Sequence, residues 1–112
     1  MPTTIEVSPE DGLCPQQRAA ICGVFRQFPQ VEKAKIYGSR AMGTHRPGSD
    51  IDLTLLGEIN LSTLNQISLA LDDLLLPFEI DLSVFAEIDN PQLQEHIRRV
   101  GKLFYANPDT PT

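Results

Sequence analysis

The sequence has no tryptophan, only two cysteines, and nine basic residues against fifteen acidic ones. Each shortage removes a class of function. Cys14 and Cys22 do not form a C-x-x-C pair, and with no second pair there is no cysteine set for a structural zinc site. Both fall in or beside one apolar helical pattern and read as reduced, packed thiols. A formal net charge of −6 opposes unaided, nonspecific binding to nucleic acid or to an anionic membrane surface. It leaves room for an anionic ligand bridged by a metal, because a bound cation reverses the local field, and for a basic protein partner. No basic segment followed by an apolar run opens the chain, and no apolar stretch approaches membrane-spanning length. The expectation is a cytoplasmic protein with no membrane partner. Internal repeats and low-complexity tracts are absent as well.

What is present is ordinary globular material. Hydrophobic residues make up 41% of the chain and charged residues 21%. A chain of 112 residues buries roughly two-thirds of its unfolded surface, enough for one modest core. The organisation read from it is a flexible segment over 1–12, one domain over 13–106 and a flexible tail over 107–112. Pro15 suits the first turn of a helix. Ile21, Val24, Phe25 and Phe28 then recur at i, i+3, i+4 and i+7 until Pro29 stops the pattern. "KAKIYGS" reads as a short strand ending at Gly38. "DIDLTLL" reads as a second, with Ile51, Leu53 and Leu55 on one face and Asp50, Asp52 and Thr54 on the other. Leu64, Ile67, Leu71 and Leu74 mark a second helix, closed by Pro77. "FEIDLSVF" alternates again, with Glu79, Asp81 and Ser83 on its polar face. Asn90 and Pro91 form a cap and first-position pair for a last helix carrying Leu93, Ile97, Val100 and Phe104. The order helix, strand, strand, helix, strand, helix predicts a small α+β domain: one mixed sheet flanked by helices.

The chemistry concentrates between residues 38 and 53, "GSRAMGTHRPGSDIDL". Gly38 ends a strand, and Ser39 is an N-cap for a short turn over Arg40 to Met42 that Gly43 can terminate. Free N–H groups at such a corner suit an anion such as phosphate. Pro47 and Gly48 have the preference of a type II turn, so the chain reverses and returns as the strand bearing Asp50 and Asp52. Two aspartates at i, i+2 on a strand share a face about 7 Å apart. Hard divalent cations use such carboxylates together with substrate phosphates. An Asp-x-Asp alone usually marks no more than the solvated face of a sheet, and a lone Gly-Ser usually marks a turn. Together with Asp81 on a later strand, they make a long, constrained pattern of the type a two-metal phosphoryl reaction requires.

Gly-Ser, ten intervening residues and Asp-x-Asp resemble the signature of the nucleotidyltransferases of the DNA polymerase β superfamily. "YGSRAMGTHRPGSDIDLTLLG" is most similar to the minimal nucleotidyltransferase (MNT) domain proteins; "PFEIDLSVF" matches their third acidic strand and "NPQLQEHIRRVGKLFY" their terminal helix. The resemblance covers nearly the whole chain and implies a polymerase β palm-like fold. It implies that Gly38 and Ser39 hold nucleotide phosphates and that Asp50, Asp52 and Asp81 bind Mg²⁺, as two ions, and carry catalysis. Glu79 competes with Asp81 for the third ligand position; Asp81 is preferred because it directly precedes an apolar residue, as the family's aspartate does. Arg40, Arg46 and Ser49 are the remaining nucleotide-contact candidates, the arginines through triphosphate oxygens. His45 has no obvious partner, His96 reads as a surface residue, and Tyr37 reads as packing.

Larger family members add a second domain for base and acceptor, and 112 residues leave no room for one here. The minimal members are similar to antitoxins paired with small helical HEPN-domain toxins, some of which are inactivated by transfer of AMP from ATP to a tyrosine. The resemblance therefore implies ATP or another NTP as substrate and a HEPN-type partner as acceptor. Two other readings stay open: neutralisation of the partner by binding alone, and transfer to a small molecule or RNA with the acceptor site on a separate subunit. A homo-oligomer is also left open.

Overall fold

The computed structural model describes residues 12–44 and 48–108. Among these, four helices and four strands follow one another as α1 (Pro15–Arg26), β1 (Lys33–Tyr37), α2 (Gly38–Met42), β2 (Ile51–Leu56), α3 (Leu61–Asp72), β3 (Ile80–Val84), α4 (Pro91–Val100) and β4 (Lys102–Ala106), with a 3-10 turn at Phe85–Glu87 after β3. The strands form one sheet in the order β3-β2-β1-β4. β1 runs antiparallel to both β2 and β4, while β2 and β3 are parallel. The parallel pair needs a crossover, and α3 supplies it. This is the mixed sheet flanked by helices that the sequence predicts.

Alternation along the strands gives the sheet two unlike faces. Ile36 pairs with Leu53 and Ala34 with Leu55, and these side chains join Ile21 and Phe25 of α1 and Ile67 and Leu71 of α3 in the core. On the opposite face Tyr37 pairs with Asp52, and Asp52 with Asp81. Thr54, on the same face as Asp52, is fully buried there. Its hydroxyl stays satisfied because Ser83 Oγ of β3 donates to Thr54 Oγ1 at 3.0 Å, as a buried polar group requires.

Two element predictions need correction. The last helix does not continue to Phe104: it ends at Val100. Gly101 has extended ψ (143°), its N–H donates to the Ile97 carbonyl, and a Cβ there would run into that same oxygen. The chain leaves as β4 and pairs with β1, which places Phe104 and Tyr105 in the sheet. The i, i+4 spacing from Val100 to Phe104 carries the helical pattern past the break. A register shift opposite Ala34 and Lys35 lets two consecutive residues, Phe104 and Tyr105, both be buried. β4 runs to Ala106, and the Asn107 N–H that follows donates to the Glu32 carbonyl at 2.8 Å. The second correction concerns the corner after β1, where helical geometry begins at Gly38, with Tyr37 rather than Ser39 in the cap position. Gly43 closes that helix, as predicted.

Candidate active site

The carboxylates are gathered by pairing rather than by sequence proximity. Adjacent strands lie about 4.8 Å apart, and register sets Asp52 of β2 directly against Asp81 of β3, with Tyr37 of β1 on the other flank of Asp52. A row of side chains thus crosses three strands on one face. Asp50 stands just before β2, exposed, and Glu79 just before β3, also exposed. The Ile51 N–H donates to the Glu79 carbonyl at 2.8 Å, which fixes the entry of both strands. Of the two candidates, Asp81 is the one within β3 and in register with Asp52.

Burial raises the Asp52 pKa above the ordinary carboxylate value, the charges of Asp81 and then Asp50 raise it further, and His96 opposes them. Tyr37 follows the same logic. Burial pushes its phenol up, a hydrogen bond with Ser83 opposes this, and Asp52 and Asp81 add to the rise. Tyr37 therefore remains a neutral phenol beside the carboxylates. Its predicted packing role holds, since it is almost fully buried.

Gly38 is fixed by this row. Its φ of +77° is left-handed, and a Cβ there would collide with Asp52 Oδ2 and lie 3.2 Å from Asp52 Cγ. The Gly-Ser corner and the Asp-x-Asp strand are thus in direct contact, ten residues apart in sequence but stacked in space. Ser39 sits in the first turn of α2, where its carbonyl accepts the Thr44 N–H at 2.9 Å.

Arg40, predicted to reach triphosphate oxygens, is only 4% exposed. Its Nε and Nη2 both donate to the Ser49 carbonyl, at 3.0 and 2.8 Å, and the guanidinium lies over the Phe78 ring at 5.0 Å. Arg40 therefore ties α2 to the residue preceding Asp50. Arg40→Lys keeps the charge but loses this two-pronged geometry. It is expected to lower stability by about 1–3 kcal/mol, read by thermal melting. Arg46 and His45 lie outside the described residues.

His96 is the residue the sequence reading undervalued. It is half-buried on α4, its ring meets Tyr37 edge-on with centroids 6.4 Å apart, and it acts on Asp52. The available signal was its place beside buried Ile97 on an amphipathic helix. The face of the sheet that this helix covers is not encoded in that spacing.

Among the described residues, no group of three His, Cys, Asp or Glu side chains is drawn together closely enough to form a ready-made metal site. The donor set nonetheless fits a hard divalent cation. Asp52 stands in register with Asp81 and two residues from Asp50, both charges raise its pKa, and repulsion among oxygen donors is what Mg²⁺ ligation relieves. Asp50, Asp52 and Asp81 are the residues that would hold it.

Among the described residues no helix is long and apolar enough to cross a membrane. The fold is similar to that of solved toxin–antitoxin structures. One, determined with AMP-PNP, superposes with a TM-score of 0.65 at 20% identity, over 81% of this chain and 74% of that one. A second is a Shewanella oneidensis tri-AMPylated HEPN toxin in complex with MNT antitoxin, with a TM-score of 0.61 at 17% identity, over 82% and 71%. The MntA-HepT toxin–antitoxin gives 0.60 at 17% identity, over 82% and 72%. Comparison with curated protein sequences gives no match. The family model described as polymerase beta, nucleotidyltransferase matches residues 20–110, and this chain belongs to the polymerase β nucleotidyltransferase family.

Proposed function

We propose that this protein transfers AMP from ATP to a hydroxyl group on a HEPN-type helical protein, as the antitoxin of a cytoplasmic toxin–antitoxin pair. The observation that carries the reading is the register of Asp52 against Asp81 with Gly38 stacked on Asp52. Its similarity to antitoxin structures containing AMP-PNP or an AMPylated toxin supports the choice of nucleotide and acceptor.

Gly38 and Ser39 form the corner that faces the triphosphate, and Arg40 keeps the loop before Asp50 in place from behind. Asp50 and Asp52, with Asp81, would hold Mg²⁺, which when bound supplies the positive charge that offsets the triphosphate. Asp81, the exposed member of the row, is open to an incoming acceptor. Its carboxylate orients the acceptor hydroxyl and takes its proton as the oxygen attacks the α-phosphorus. An O–P bond to AMP forms, the bond to the bridging oxygen breaks, and pyrophosphate leaves with the electron pair. Tyr37, kept neutral, supports the wall of the site and does not take part in proton transfer.

A second reading, neutralisation by binding alone, gains from the lack of a preassembled three-group metal site among the described residues. The variant Asp50→Ala plus Asp52→Ala separates the two. Loss of partner neutralisation together with loss of AMP transfer supports catalysis. A double variant that still neutralises its partner favours binding.

A further inference from the structure

Charge is distributed unevenly along this chain. Between Pro47 and Ile97 there are ten acidic residues and no lysine or arginine. That stretch builds β2, α3, β3 and the turn after it, the whole of one side of the sheet. On this acidic side an open cleft of about 610 Å³ runs between the start of α3 and the edge strand β3. Ile59, Leu61, Leu64, Leu82 and Ile88 line it, with Glu87 at its margin. Leu61 is 71% exposed, and Leu69, two turns along α3, is 65% exposed. Exposed Glu58 and Asp89 adjoin the lining residues Ile59 and Ile88. Exposed Leu61 at the mouth of a cleft walled by half-buried Leu64, Leu82 and Ile88, with an acidic rim, has the make-up of an interaction site.

We propose that this cleft is the docking surface for the protein partner, and that the partner presents a basic amphipathic helix to it. This rests on the reading above that the acceptor is a helical protein. Charge complementarity selects the occupant: apolar side chains enter the cleft, while flanking lysines or arginines meet Glu58, Glu87 and Asp89. A second copy is disfavoured, because two chains of charge −6 repel on approach. Position supplies the functional sense. Leu82 and Ser83 of the cleft wall follow Asp81 on β3, so the cleft opens along the same edge strand that carries Asp81, with Ser83 on the carboxylate face and Leu82 on the face that α3 covers. The cleft and the carboxylates would thus divide the work, one holding the partner and the other acting on it.

The test uses the whole chain and a HEPN-domain protein of the same genome, chosen as the proposed acceptor. Affinity is measured by calorimetry at two salt concentrations for the wild type, Leu61→Glu and Leu61→Lys plus Glu87→Lys. Binding of a fluorescent ATP analogue serves as a check on the fold and the nucleotide site. Both variants lose apolar contact, but only the lysine variant opposes a basic helix. Leu61→Glu should weaken partner binding about tenfold and the lysine variant at least about a hundredfold, with analogue binding unchanged. Wild-type affinity should fall as salt rises. Equal affinity for all three proteins would overturn the docking site while leaving AMP transfer intact. Self-association of the wild type that is lost in the lysine variant, without an effect on the partner, would assign the cleft to a second copy and overturn the proposal. Failure of the wild type to bind the partner at all would overturn both readings.

Discussion

Asp52→Asn should cut AMP transfer by about 10²–10⁴-fold and at the same time raise the melting temperature by a few degrees at neutral pH. The two effects come from one cause. Asp52 sits in register with Asp81 and near Asp50, and burial and both charges raise its pKa. A carboxyl whose pKa is raised by folding is held more comfortably when protonated. Its contribution to stability is present below the ordinary carboxylate value and is lost as pH rises through the raised one. The amide avoids that loss, so the melting curves of wild type and variant should coincide at acidic pH and separate as pH rises through the carboxylate range. Added Mg²⁺ should raise the wild-type melting temperature and narrow the gap, because ligand that binds only the folded state stabilises it by mass action. The variant should respond much less. A variant that melts below the wild type at neutral pH would mean that hydrogen-bond donors, not repulsion, dominate the Asp52 environment.

Gly38→Ala should be nearly as damaging to transfer while moving stability in the opposite direction. Two costs add at this position. The backbone is left-handed, which costs a residue with a side chain about 1 kcal/mol or more, and the new methyl would occupy the place of Asp52 Oδ2. Either Asp52 swings away from Asp81 or the start of α2 moves, and both disturb the proposed site. The expected loss is about 2–3 kcal/mol, with a fall in melting temperature on the order of 8–13 °C. Gly48 is the control. Its φ is +81°, but a Cβ there meets no atom of the described residues within 4 Å, so among these Gly48→Ala meets only the backbone cost. If the two variants lose equal stability and equal activity, the contact between Gly38 and Asp52 is not what makes glycine necessary at the corner.

Most of the fold was legible because its signals are local. The alternation in "DIDLTLL" and "FEIDLSVF" puts Asp52 and Asp81 on polar faces, and the helix between these strands favours a parallel pair. The exact partner of Asp52 was not legible. A shift of the parallel register would set Glu79 rather than Asp81 beside Asp52, and only the assembled sheet fixes that choice. β4 was missed because the helical spacing from Ile97 through Val100 to Phe104 continues across Gly101, where backbone geometry ends the helix. Arg40 illustrates a different limit. An arginine next to a Gly-Ser corner suggests phosphate, yet the fold turns it inward to the Ser49 carbonyl and the Phe78 ring. His96 reaches the carboxylate face through the packing of α4 against β1, and that is a tertiary fact with no counterpart in sequence spacing.

The central claim is that the Asp52 and Asp81 pair, with Gly38 stacked on Asp52, forms the site that transfers a nucleotide to a protein hydroxyl. The most direct measurement incubates the protein, Mg²⁺ and a HEPN-domain protein of the same genome with ATP labelled at either the α- or the γ-phosphate. The account predicts that label from the α-position becomes covalently attached to the partner, that label from the γ-position leaves with pyrophosphate, and that Asp52→Asn abolishes the attachment. Attachment of the γ-label, or attachment of the α-label that persists undiminished in Asp52→Asn, would contradict it.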